Sequence, residues 1–412
     1  MPVSGHSTGA GQATTAGMPG ARGSVVVDEQ IRAIDDTRLV GREQRNGRGD
    51  FLGTPMATPW CRGLERGERL RVGGGERRQR RVPRGQAYAS ARGDIIATPA
   101  REQTTLRTLF YTHPECLEHR MQSRHPECPE RLVHIVDFLR ASGQLGELAL
   151  REPTIASTGS IGAVHTQAYL DMLEAALPTL GLVRVDPDTA MGPRSLDAAR
   201  RAAGAVIDAT AAVLAGEAQR AFCAIRPPGH HAEEGAAMGF CFYNNIAAAA
   251  ASALRHPGIE RVAILDFDVH HGNGTIDIFQ ARPEVLVCSS FQHPLYPNRH
   301  FDMDRPNIVN TPLAAGSDGS VFRRAIERDW LPALETHRPQ LIFVSAGFDA
   351  HRADPLGGLL LDDADYTWVT RLICDAARRF ANGRVISALE GGYDLDALAR
   401  SAGAHVAALQ QD

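Results

Sequence analysis

Five short apolar runs, Ala221–Ile225, Val262–Phe267, Val285–Cys288, Leu341–Ser345 and Val385–Leu389, recur along the chain between segments of helical spacing. Each is short and rich in Val, Ile, Leu, Ala or Phe, which favours strand over helix. Nearly continuous apolar content means that both faces of these strands are covered, the pattern of a mostly parallel sheet. The spacing predicts a helix over Arg131–Ala141, with Leu132, Ile135, Val136 and Leu139 on one stripe and Gly143 as the stop. It predicts a second over Ser195–Leu214, with Ser195 as N-cap and Gly216 just past the end, and others over 245–255, 318–336 and 363–381. The expected fold class is therefore α/β, with helices on both faces of the sheet.

In such sheets ligands gather beyond the carboxyl ends of the strands. Four of the runs lead straight into polar, glycine-containing loops. The richest is Leu265-Asp266-Phe267-Asp268-Val269-His270-His271-Gly272-Asn273-Gly274-Thr275. Asp268 and His270 are two residues apart, and on an extended segment such residues point to one side, so an oxygen and a nitrogen can meet one cation. The other loops are Arg226-Pro227-Pro228-Gly229-His230-His231, the stretch from Ala346 to Leu356 that contains Asp349, and Glu390-Gly391-Gly392-Tyr393-Asp394. Oxygen and nitrogen donors without thiolate suit Zn²⁺, Fe²⁺, Mn²⁺ or Co²⁺. Two carboxylates and one imidazole leave positions open for water and substrate. A tandem histidine offers a general base and acid, and a tyrosine beside two glycines offers a hydroxyl to a developing oxyanion. Asp354 lies further along its loop and fits a ligand less well than Asp349. His271 should face away from His270 and reads as structural. His293, His300 and His351 read as surface or rim residues, and Asp186-Pro187-Asp188 as part of a substrate rim.

The 412 residues, 43% hydrophobic, suffice for one large domain plus extra material. Residues 1–105 are rich in Gly, Arg, Ser, Thr and Pro with few periodic apolar positions, and are expected to be a disordered extension; the catalytic domain is expected over 106–412. The net charge of −4 carries no polyanion signature, so nucleic acid is not an expected partner. Every basic residue is arginine. Seven cysteines without a CxxC pair suggest a reducing compartment. With no apolar signal region and no run of 18 apolar residues, the reading is cytoplasmic, without a membrane partner.

The motifs Arg226–His231, Met238-Gly239-Phe240-Cys241-Phe242-Tyr243-Asn244-Asn245, Asp266–Thr275, Ala346–Asp349 and Glu390–Asp394 together resemble the histone deacetylase superfamily, which includes acetylpolyamine amidohydrolases. The resemblance runs from about Leu106 to the C-terminus. It implies an arginase-like three-layer α/β/α fold and a zinc-dependent amidohydrolase acting on an acylated amine. On these positions it implies zinc held by Asp268, His270 and Asp349. His231 would be the general base, His230 would be held by Asp266, and Tyr393 would donate to the acetyl oxygen. Gly239, Phe240 and Tyr296 would shape a narrow tunnel with Leu356 at its rim. A structural K⁺ would take oxygens from Asp266, Asp268, His270, Ser289 and Ser290.

Asn273 stands where class I members carry aspartate, so the pattern is nearer the class II and bacterial branch, and His231 would lack a carboxylate partner. Phe291 replaces a histidine often found beside the potassium ligands. The resemblance leaves open whether the amine is a protein lysine, a polyamine or another small amide, and does not fix oligomeric state. An arginase-type ureohydrolase would need more bridging aspartates than these turns provide. A non-catalytic acyl-lysine-binding protein is disfavoured because every catalytic position carries a competent residue.

Overall fold

The computed structural model describes residues 107–411, all within one compact unit; the reading of residues 1–105 lies outside the described residues. The strands are β1 (Leu109–Tyr111), β2 (Ala149–Arg151), β3 (Val183–Arg184), β4 (Ala190–Met191), β5 (Arg220–Cys223), β6 (Val262–Asp266), β7 (Val285–Gln292), β8 (Ile308–Leu313), β9 (Leu341–Ala346) and β10 (Val385–Leu389). Eight of them form one sheet in the order β2-β1-β5-β10-β9-β6-β7-β8, parallel at every pairing. β3 and β4 make a small antiparallel pair apart from it. The helices are α1 (Glu130–Ala141), α2 (Thr158–Ile161), α3 (Gln167–Ala176), α4 (Ser195–Leu214), α5 (Asn245–Ala253), α6 (Asn273–Phe279), α7 (Gly319–His337), α8 (Asp363–Phe380) and α9 (Leu395–Gln410).

Every residue of β5, β6, β7, β9 and β10 is buried. That is the physical reason their sequences read as unbroken apolar runs rather than alternating ones. In α1 the stripe Leu132, Ile135, Val136 and Leu139 is buried, and the helix packs chiefly against α9. α8 starts with a capping box in which Asp362 and Asp365 each accept from the other's end of the first turn.

The sheet order decides where chemistry can occur. β5, β10, β9 and β6 are consecutive neighbours, and register pairs Cys223 with Ala388, Ala388 with Ser345, and Ser345 with Asp266. These four strands therefore end at one level, and the four polar loops leave the sheet side by side.

Two expectations need correction. Ser195 begins α4 but does not cap it: Arg194 is the cap residue and makes no side-chain cap bond. The Ser195 hydroxyl is engaged instead by the Gly192 amide (2.8 Å) and by His119 Nδ1 (2.8 Å). β7 runs on to Gln292, because Ser290, Phe291 and Gln292 still pair with β8. The short strands β1 and β2, the outer strand β8 and the alanine-rich α9 had no distinct signature in the sequence.

A polar contact in the packed layer behind the sheet yields a stability prediction. His405 of α9 is fully buried. Thr370 Oγ1 donates to Tyr366 O, so it accepts from His405 Nδ1 (2.6 Å), and His405 Nε2 then accepts from Ser387 Oγ (2.8 Å). Burial pushes the imidazole down to about 3. The unfolded chain takes up this proton near pH 6.5 and the folded one does not. Stability is therefore fully present above that pH and falls as pH drops toward about 3, by up to about 1.4 kcal/mol per unit from this group. Denaturant midpoints measured over that window should fall with pH, with a shallower slope in His405→Leu. An unchanged slope in that variant would remove His405 from the account.

Candidate metal and catalytic site

Asp268, His270 and Asp349 each bring a ligand atom within 4.8 Å of the other two. Strand geometry does not achieve this. β6 ends at Asp266, and Asp268 to His270 form a bend beyond it. Side chains instead fold the turn. Asp266 Oδ1 accepts from the Asp268 amide (3.1 Å), and Asp268 Oδ1 from the His270 amide (2.9 Å). His270 Nδ1 then lies 3.1 Å from Asp268 Oδ1 and 3.2 Å from Asp349 Oδ2. Neighbouring loops close on the same oxygens: the Val269 amide donates to Asp349 Oδ1 (2.8 Å) and the Gly391 amide to Asp268 Oδ2 (2.8 Å). Only glycine allows that approach, since a Cβ at Gly391 would meet Asp349 Oδ2 at 2.0 Å.

The electrostatics call for a cation. Burial raises the Asp349 carboxyl to about 7, and the adjacent Asp268 charge adds to the rise. Burial alone would lower His270, but the two carboxylates raise it to about 10. The trio thus attracts positive charge at the point where three donors converge, and its two carboxylates and one imidazole fit a divalent metal.

The tandem histidines stand beside this set, with ring centroids 4.0 Å apart. His230 Nδ1 meets Asp266 Oδ2 at 2.9 Å. Burial opposes its charge, but Asp266 and Asp268 overcome burial and hold it well above its usual range. His231 goes the other way: burial, then the charges of His230 and His270, hold it well below. One ring is cationic and its neighbour neutral. His231 Nδ1 lies 2.7 Å from Asn273 Oδ1, which can only accept, so Nδ1 carries the hydrogen and Nε2 is left as the free base. A Cβ on Gly239 would meet the His231 ring at 2.2 Å, and Gly239 has φ +56°; glycine there gives the imidazole its room.

Tyr393 packs edge-on to Phe240 (6.0 Å) and beneath the Arg131 guanidinium (4.9 Å). Burial raises its phenol well above the usual range, so it remains an O–H donor. Tyr296 stands edge-on to His231 (5.2 Å) and His270 (6.1 Å). Leu356 is half-buried further along the Asp349 loop. Ser289 pairs with Asp266 across β6 and β7, its hydroxyl accepting from Gly272 N (3.2 Å), and Ser290 Oγ lies 3.4 Å from Asp266 O. Phe291 is buried against His271 (4.6 Å). His271 faces away from the metal set and bonds Asn310 (2.9 Å), a structural role. His351, read as a rim residue, is buried, with Nδ1 accepting from Ala353 N (3.1 Å). Asp188 accepts from Gly239 N (3.1 Å), beside His231 and Phe240.

Sequence reasoning missed the groups that hold these loops. Asp354 is no ligand; its Oδ2 accepts from the amides of Tyr393 (2.6 Å) and Asp394 (3.2 Å). Arg131 donates to Gly392 O (2.6 Å) and to Glu390 O, and Glu390 Oε2 accepts from Gly229 N (2.6 Å) and His230 N (3.1 Å). Burial raises Glu390 to about 7. Arg226 and Glu127 form a buried pair (2.6 Å) beside them. The one available signal was Arg131 itself, an arginine adjoining the apolar stripe of α1.

Residues 125–409 match the histone deacetylase domain family. The chain is 42% identical over 276 residues to a histone deacetylase-like amidohydrolase of Pseudomonas aeruginosa, covering 65% of this chain and 72% of that protein. It is 33% identical over 323 residues to the mouse polyamine deacetylase HDAC10, covering 73% of this chain and 46% of that protein. Among solved structures, the HDA15 HD domain superposes with a TM-score of 0.69 at 32% identity, covering 74% of this chain and 88% of that one.

Asp354→Ala leaves two backbone N–H groups of the tyrosine loop without their acceptor. It is expected to lower stability by about 1–3 kcal/mol and to reduce turnover while metal content is unchanged, as read by denaturant titration and elemental analysis. Wild-type stability would show that the loop does not depend on this carboxylate.

Proposed function

Because the chain belongs to the histone deacetylase family, we propose that it is a zinc-dependent hydrolase that removes an acetyl or related acyl group from an amine. The observation that carries this reading is the convergence of Asp268, His270 and Asp349 beside a histidine pair in which His230 faces Asp266 and His231 faces Asn273. Bound there, zinc would polarise the acyl carbonyl and lower the pKa of water toward about 7. The protein's own groups do the rest. His231 Nε2 takes the proton of the attacking water. The Tyr393 hydroxyl donates to the oxygen of the tetrahedral carbon. His231 returns its proton to the departing amine. His230, charged against Asp266, supports the negative charge that develops. Phe240 and Tyr296 line the approach with Gly239, and Leu356 stands at the rim. The Asp266, Asp268, His270, Ser289 and Ser290 corner is proposed to take a structural K⁺.

The proposed substrate is acetyl-lysine or a similar acetylated amine. A small acetylpolyamine is the second reading, favoured by the Asp186 carboxylate and by Asp188 beside Gly239; burial and its neighbour raise Asp186 to about 7. We place the reaction in the cytoplasm. The six described cysteines are free thiols, and among the described residues no helix is long and apolar enough to cross a membrane.

Initial rates of the zinc-loaded protein on an acetyl-lysine peptide, acetylputrescine and acetylspermidine separate the two readings. The first predicts the peptide as the best substrate, and faster turnover of the polyamines would select the second. Tyr393→Phe removes one oxyanion donor and should lower turnover by about 10²–10³ with zinc content unchanged; full activity in that variant would overturn the mechanism.

A further inference from the structure

We propose that Glu233 is a positioning residue for the reaction: acting through Asn273, it sets the tautomer of His231 and so keeps Nε2 free to accept a proton. The inference rests on the reading of His231 as general base. The chain of contacts runs outward from the site. His231 Nδ1 lies 2.7 Å from Asn273 Oδ1, and Asn273 Nδ2 lies 2.8 Å from Glu233 Oε1. Glu233 Oε2 lies 3.0 Å from the half-exposed Arg299, and His300 Nε2 lies 3.4 Å from Glu233 Oε1 and 3.9 Å from Asp277. The backbone of Glu233 is pinned as well, its amide donating to Ala236 O (3.0 Å) and its carbonyl lying 2.9 Å from His165 Nδ1.

An asparagine amide is ambiguous by itself. One end donates and the other accepts, and either end can turn toward an imidazole nitrogen. With the oxygen inward, His231 must protonate Nδ1, and Nε2 is the free base. With the NH₂ inward, Nδ1 must accept, the hydrogen moves to Nε2, and the base is blocked. An ionised carboxylate only accepts, so Glu233 draws Nδ2 outward and fixes the oxygen toward His231. Burial would raise Glu233, but His300, Asn273 and Arg299 together bring it below its usual range, and it is ionised when the enzyme works. The other neighbours of Nδ2, Met238 Sδ at 3.2 Å and His231 O at 3.4 Å, are a weak acceptor and a long contact. An aspartate at 273 would need no such arrangement, because both its oxygens accept.

That difference supplies the test. Glu233→Leu and Glu233→Gln are made in the wild-type chain and in Asn273→Asp, zinc-loaded, and assayed on an acetyl-lysine peptide with zinc content measured. In the wild-type background Glu233→Leu should lower kcat by about 10- to 100-fold with little change in KM, and Glu233→Gln, whose Oε1 still accepts, should restore part of the loss. On Asn273→Asp the Glu233→Leu change should be neutral or beneficial, since it also relieves repulsion between two carboxylates. Ring ¹⁵N resonances of His231 give a readout independent of turnover: Nε2 should be the unprotonated nitrogen in the wild type, with the other tautomer gaining population in Glu233→Leu. An equal loss in both backgrounds, or an unchanged tautomer, overturns the inference. If the wild type hydrolyses no acyl amine, the functional reading fails, and the resonances still decide the tautomer.

Discussion

The site depends on backbone amides donated to buried carboxylates across loop boundaries. Asp268 accepts from His270 of its own loop and from Gly391 of another, Asp349 from Val269, Glu390 from Gly229 and His230, and Asp354 from Tyr393 and Asp394. Loops have no regular ladder to satisfy their N–H groups, and buried ones must be satisfied somehow. Here acids serve that need, and negative charge collects at the strand ends as a consequence. A cation would be the natural complement of that charge, which collects at one place because β5, β10, β9 and β6 lie next to one another.

The same economy divides the tandem histidines. Both rings are buried, yet one faces Asp266 and the other Asn273. A carboxylate partner charges His230, while an amide partner leaves His231 neutral with a defined hydrogen position. Two adjacent and chemically identical residues thereby acquire opposite proton states, as acid–base chemistry near neutral pH requires.

Much of this was legible in the sequence. Five apolar runs gave the central strands because burial on both faces leaves an unbroken apolar record. The Asp268, His270 and Asp349 cluster and the tandem histidines were visible because metal and proton chemistry restrict residue types. What stayed hidden depends on distance along the chain. Glu233 acts on Asn273 40 residues away, and Asp354 on Tyr393 39 residues away, with no spacing to betray them. β1 and β2 are three residues each, too short for periodicity. Asp268 and His270 were paired for the wrong reason: a strand-like alternation was expected, whereas carboxylate-to-amide turns bring them together. Ser195 showed how a good capping residue can be drawn to other partners, here Gly192 and His119.

The central claim is that Asp268, His270 and Asp349 hold one divalent metal in an open position. X-ray absorption at the zinc edge of the loaded protein tests it most directly. The account predicts one zinc per chain, with oxygen and nitrogen neighbours at about 2.0–2.2 Å and no sulfur. Sulfur in the coordination shell, or two metals sharing the site, would contradict it.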